Sequence, residues 1–157
     1  MRDLHSNIRT TKTPHLAPAI YTSTQTPANG VSVAGGMSLE FLICIGSIAN
    51  IANSPQPSWS FKMQESDTVN SDFTDVVDPD DLLVESSASP LTSPDSSTGV
   101  FLTVDHADND SAVYRVGYIG SKAYARIVAV AANTPGNTPL SIVAIQGHLG
   151  LRPSSDS

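Results

Sequence analysis

In "SWSFKMQES", residues 58–66, every second side chain is large and apolar. Trp59, the only tryptophan of the chain, falls on one side with Phe61 and Met63. Ser58, Ser60, Lys62 and Gln64 fall on the other. A repeat of two places successive side chains on opposite faces of an extended strand, whereas a helix would scatter them around its circumference. A second stretch has the same period: Leu39, Phe41, Ile43 and Ile45 alternate with Glu40, Leu42, Cys44 and Gly46. Two such stretches commit the chain to a sheet with one apolar face, and that face needs a second layer to cover it.

Composition agrees with this reading. Twelve Asp stand against three Glu, and Asp favours turns and caps where Glu favours helices. Only 15% of the residues are charged, and Ser, Thr, Asn, Gly and Pro fill the gap. The last third repeats a strand-and-turn rhythm. "GVFLTV", "SAVYRVGYIG", "AYARIVAVAAN" and "PLSIVAIQGH" read as strands; "DHADND" and "GSK" read as hairpin turns and "TPGNTP" as a further connection between them. Short strands at this spacing predict an antiparallel sandwich or barrel; the chain is read as an all-β antiparallel β-sandwich of jelly-roll-like form. Its core is expected to hold Leu39, Phe41, Ile43, Trp59, Phe61, Met63, Val116, Ile127 and Ile142.

The domain so defined covers residues 31–150. Residues 1–30 are polar, carry Pro14, Pro18 and Pro27, and read as an extended N-terminal arm with one short strand near Pro18–Thr22. Such a segment has too little apolar surface to fold alone and is expected to be either mobile or laid against a neighbour. Residues 78–98 read as a long surface loop, with Asp78 capping a short helical turn that begins at Pro79. Residues 151–157 form a polar tail.

The formal charge of −7, with three Lys and five Arg, leaves no basic face for nucleic acid. No apolar run is long enough to span a bilayer, and "MRDLHSNIRTTKTPHLAPAI" lacks the apolar centre of a signal peptide. The expectation is a protein made in a cytoplasm, without a membrane partner. Cys44 is the only cysteine, so no internal disulfide forms; within an apolar strand it reads as a small buried hydrophobe.

Catalytic and metal constellations are each better explained by structure. Asp105, His106, Asp108 and Asp110 crowd the "DHADND" turn, but an EF-hand's glycine and distal glutamate are missing. "DPDD" at 78–81 suits helix capping better than general acid–base work, which needs a desolvated carboxylate. His5, His15, His106 and His148 share no ligand spacing. There is no G-x-S-x-G elbow, and "GYIGSK" is too short for a phosphate loop. Arg115 and Arg126 are placed on adjacent strands. The chain is therefore read as a non-enzyme, with no catalytic residue, cofactor or metal.

Three stretches carry a resemblance. "NIRTTKTPHLAPAIYT", "FKMQESDTVNSDFTDV" and "YRVGYIGSKAYARIVAV…VAIQGH" are similar to a family of small tailed-bacteriophage virion proteins encoded near the major capsid protein. The matching residues are Lys62, Gln64, Glu65, Ser66, Asp67, Phe73, Asp75 and Val76. They continue with Tyr114, Val116, Gly117, Tyr118, Gly120, Lys122, Tyr124 and Arg126, and end at Gly147 and His148. Ala123 departs from the pattern, which has Arg there.

The resemblance implies a structural virion protein made in the host bacterial cytoplasm. It implies a capsid decoration or cement protein on the outer surface of the head, bound to the major capsid protein and to itself as a homotrimer. A head–tail connector or tail component is the rival within the virion. A carbohydrate-binding surface module, using Tyr21, Tyr114, Tyr118 or Tyr124, is the rival outside that class. The residues expected at the interfaces are Leu4, Ile8, His15, Leu16, Pro18 and Ile20 of the arm, with Leu82 and Leu83 of the long loop.

Overall fold

The computed structural model describes residues 8–11, 13–34, 38–84 and 90–147, and it is an antiparallel β-sandwich. Leu4 and the 151–157 tail lie outside the described residues. The strands are β1 (Ile8–Thr10), β2 (Leu16–Tyr21), β3 (Val31–Ser32), β4 (Ser38–Ile45), β5 (Ser58–Ser66) and β6 (Thr74–Asp75). They continue with β7 (Leu82–Val84), β8 (Val100–Val104), β9 (Ala112–Tyr118), β10 (Tyr124–Ala132) and β11 (Thr138–Gly147). In the first sheet β1 and β2 lie end to end along one edge of β11, followed by β4, β9 and β7. In the second, β3 flanks β10, β10 flanks β5, and both β6 and β8 pair with the far side of β5.

The alternation seen in the sequence becomes the core. Leu39, Phe41, Ile43, Trp59, Phe61, Met63, Val116, Ile127 and Ile142 are each 1% exposed or less. Trp59 joins the two layers with a polar contact as well, because its Nε1–H donates to Thr138 Oγ1 at 3.0 Å in a buried setting. A buried indole N–H needs such a partner.

Three expectations are corrected by the topology. First, residues 8–25 are no free arm but part of the sandwich. β1 and β2 hydrogen bond to β11, and Gln25 exchanges backbone bonds with Ala129 of β10 at 2.8 and 3.0 Å. The segment buries little of its own surface, but its backbone groups satisfy two exposed strand edges.

Second, "DHADND" and "GSK" are not the in-sheet hairpin turns expected, and "TPGNTP" does not join neighbours in one sheet either. β8, β9, β10 and β11 alternate between the two sheets, so each turn carries the chain across the sandwich. Local turn chemistry is the same for both geometries and cannot tell them apart. The 120–122 corner needs Gly120 because a Cβ there would stand 2.6 Å from the Tyr118 ring.

Third, the 78–98 loop is partly regular. Asp78 Oδ1 accepts from Asp80 N–H at 2.9 Å and caps a 3-10 turn over Pro79–Asp81, as expected. The chain then forms β7 on the edge of the first sheet, and Leu91 later bridges Leu102.

Candidate interaction surface

The outward face of the first sheet is unlike that of the second. Cross-strand register lines up its outward side chains in rows: Ile145, Glu40, Gly117 and Leu83 form one. Val143, Leu42 and Arg115 form the next, and Ser141, Cys44 and Val113 the third. Pro139 with Ile20 extends the face past β11, and Ile8 opposite Gly147 closes its far corner. Antiparallel sheets that meet water on one face ordinarily place polar residues there. Here the middle of the face is aliphatic. Among the described residues its charges are Arg115 and Glu40, with Arg115 Nε 3.3 Å from Glu40 Oε1. Ile20, Leu83 and Val113 are 64%, 59% and 61% exposed. Gly117 leaves room for Leu83, since a Cβ on it would meet Leu83 Cβ at 3.1 Å.

The second sheet presents the ordinary polar face. Ser60 and Thr103 share a hydrogen bond of 3.1 Å. Lys62 Nζ and Gln64 Nε2 both donate to the Asp75 carboxylate, at 2.8 and 2.7 Å. Arg126 Nε donates to Gln64 Oε1 at 2.9 Å, and its guanidinium lies 3.9 Å over the Phe73 ring.

Two of the three stretches that carry the resemblance meet at the end of the sandwich beside this face. Tyr118 O–H donates to Glu65 Oε2 at 2.6 Å and accepts from Lys122 N–H at 3.0 Å. Lys122 Nζ pairs with Asp67 at 2.7 Å. Burial, then the bond to Glu65, pushes the Tyr118 hydroxyl up. "QESD" and "GYIGSK" are therefore two halves of one structural lock. Glu65 is joined to Tyr118 and Asp67 to Lys122, while Gln64 turns to Asp75 and Arg126 and Ser66 to Ser71.

His15 is the one described histidine that is drawn inward. Its ring meets Phe41 edge-on with centroids 5.2 Å apart, and Nε2 accepts the Ile127 N–H at 2.9 Å. Burial, assisted by the nearby positive charge of Arg126, brings its pKa down to about 4. Farther along the same seam, Thr24 Oγ1 accepts from Ala131 N–H at 3.0 Å and Pro27 O accepts from Arg126 Nη1 at 2.8 Å. His15 is thus a rivet between the N-terminal segment and β10.

The sequence-derived interface residues divide by the side of the strand on which they fall. Pro18 and Ile20 of β2, with Leu83 of β7, come to the outward face of the first sheet, Ile20 and Leu83 at its opposite edges. Ile8 sits half-buried at its corner. Leu16 and Leu82 belong to the core, at 8% and 4% exposure, and His15 serves the seam. These three are corrected from contact residues to packing residues. Cys44 is corrected in the opposite sense: it is half-buried on the outward face, where it lines a shallow groove with Ile20, Val113 and Pro139.

Arg115 and Arg126 lie on different sheets, not on adjacent strands. Leu42, Val143 and Val113 are the surface residues that sequence reasoning missed. The available signal was the unbroken apolar run 41–45, which reads as a strand covered on both faces.

Other sequence candidates are satisfied locally. Tyr114 and Tyr118 are buried, and Tyr114 O–H donates to Asn109 O at 2.5 Å, pinning the corner before β9. Asp110 accepts the Ile48 N–H at 3.0 Å. Among the described residues no group of three or more His, Cys, Asp or Glu is placed to hold a metal, and no helix is long and apolar enough to cross a membrane. No family model matches the chain, and neither a curated protein nor a solved structure is similar to it. What the fold and surface define is a β-sandwich with one apolar outer face.

Proposed function

We propose that the protein is a structural component of a bacteriophage particle, a decoration or cement protein on the outer surface of the head. One observation carries this reading: the aliphatic outward face of the first sheet, which marks a chain that assembles, set against a second sheet whose outer polar groups bond to one another. Apolar faces of this extent on small domains belong to surfaces that dock. The resemblance in "FKMQESDTVNSDFTDV" and "YRVGYIGSKAYARIV" supplies the virion context, and the acidic charge of −7 suits a surface that keeps away from packaged DNA. The protein would be made in the host cytoplasm, bind the major capsid protein, and assemble with itself; the resemblance implies trimers.

The test is occupancy on purified heads lacking the protein, followed by quantitative gel or mass spectrometry. Saturable binding in many copies per head, with heads more resistant to heat, is the expected result. Absence of binding, or a copy number that fits a single ring at the portal vertex, would overturn the decoration role.

A further inference from the structure

We infer that the outward face of the first sheet is covered by a second copy of this chain, related by a two-fold axis. The inference rests on the assembly reading for why the chain associates, but it names the surface and the partner, and it departs from the implied trimer.

Three observations point to a second copy. The first is self-complementary charge. Among the described residues, the charges across the middle of the face are Arg115 and Glu40, on neighbouring rows and of opposite sign. A two-fold axis lying between two such faces, beside this pair, sets each Arg115 next to the Glu40 of the other copy. A net charge of −7 opposes the approach of two copies through most of their surface, but the described residues at the middle of this patch sum to no net charge.

The second observation is size. β4 has eight residues, about 27 Å at ~3.4 Å per residue. Five strands across at about 4.8 Å spacing give a width of about 19 Å. Each face is then about 500 Å², and a pair buries about 1,000 Å² in all, the threshold for a biological interface and the size of a weak, reversible one.

The third is shape and sequence. Leu42, Cys44, Val143 and Ile145 stand on the two central strands, and both strands then have apolar residues on each side. That is the pattern of strands buried on two faces. Packing sheet on sheet would continue the layering already used in the core.

The experiment is sedimentation equilibrium of the intact chain, without capsids, over the micromolar range. The expected mass is twice 16.5 kDa. A 16.5 kDa particle overturns the proposal, and a trimer mass overturns the two-fold arrangement. Val113→Glu, at a position 61% exposed, is expected to weaken association about tenfold or more with unchanged circular dichroism. Leu42→Glu repeats the test at the centre of the face.

Mixing then separates contact between copies from contact within one. Arg115→Glu and Glu40→Arg each alone are expected to be monomeric, because like charges then face each other across the axis. An equimolar mixture is expected to form mixed dimers, and failure of the mixture to pair would falsify the two-fold face. Capsid occupancy is read separately. Dimers that do not bind heads would remove the decoration role and leave this inference standing.

Discussion

At the residue scale, two buried polar contacts set measurable properties. Trp59 Nε1–H has Thr138 Oγ1 as its partner in the core. Thr138→Val keeps the shape and strands the donor, so the urea midpoint should fall by an amount equivalent to about 1–3 kcal/mol. Trp59, being the only tryptophan, reports that unfolding by fluorescence. His15 gives a pH dependence whose sign follows from its lowered pKa. Its folded-state value of about 4 lies below the ordinary 6.5, so the unfolded chain binds the proton first. Stability from this group is complete above pH 6.5 and declines as pH falls towards about 4, by about 3 kcal/mol at most. His15→Gln should flatten this part of the stability–pH curve. A curve of unchanged slope in the variant would assign the effect to other groups.

At the element scale, the strands with a clean period of two were legible because burial on one face writes itself into every second residue. β4, β5 and the core residues they carry follow directly from that pattern. The N-terminal segment was not legible as part of the domain. Its union with β10 and β11 runs through backbone groups, one histidine and hydroxyls, none of which leaves an apolar period.

Removing residues 1–25 should therefore lower the melting temperature and expose the edges of β10 and β11, where a detachable arm would leave stability unchanged. Differential scanning calorimetry distinguishes the two. The partner of each strand was equally hidden: Cys44 pairs with Ser141, and β8 through β11 change sheet at every turn. Pairings so distant in sequence make loop closure precede the reward of contact. Refolding followed through Trp59 should accordingly fall in the range of about milliseconds to seconds, slower than a helical domain of this length.

At the scale of the whole molecule, the two outer faces divide its work. The second sheet spends its polar residues on itself, through Lys62, Gln64, Asp75 and Arg126. The first sheet leaves an aliphatic surface bordered by Ile20 and Leu83. Part of this surface was legible: Pro18, Ile20 and Leu83 were expected to make contacts, and they share one face. Its centre was not, because Leu42 and Val143 look like core residues until the register assigns them a side. Two substitutions placed on the two faces should therefore differ in kind. Ser60→Glu on the polar face should leave association untouched, whereas Val113→Glu should disrupt it, as read by sedimentation with both proteins folded.

The pairing of Ile8 with Gly147 has one more consequence. It brings the first and last described strands of the sandwich to the same corner, running in opposite directions. A pull applied at Ile8 and Gly147 would load their hydrogen bonds one after another, like a zipper, rather than all together in shear. The fold is thus mechanically softest where those two residues meet, and a handle attached beyond either of them would peel β1 away before it disturbed the interleaved centre.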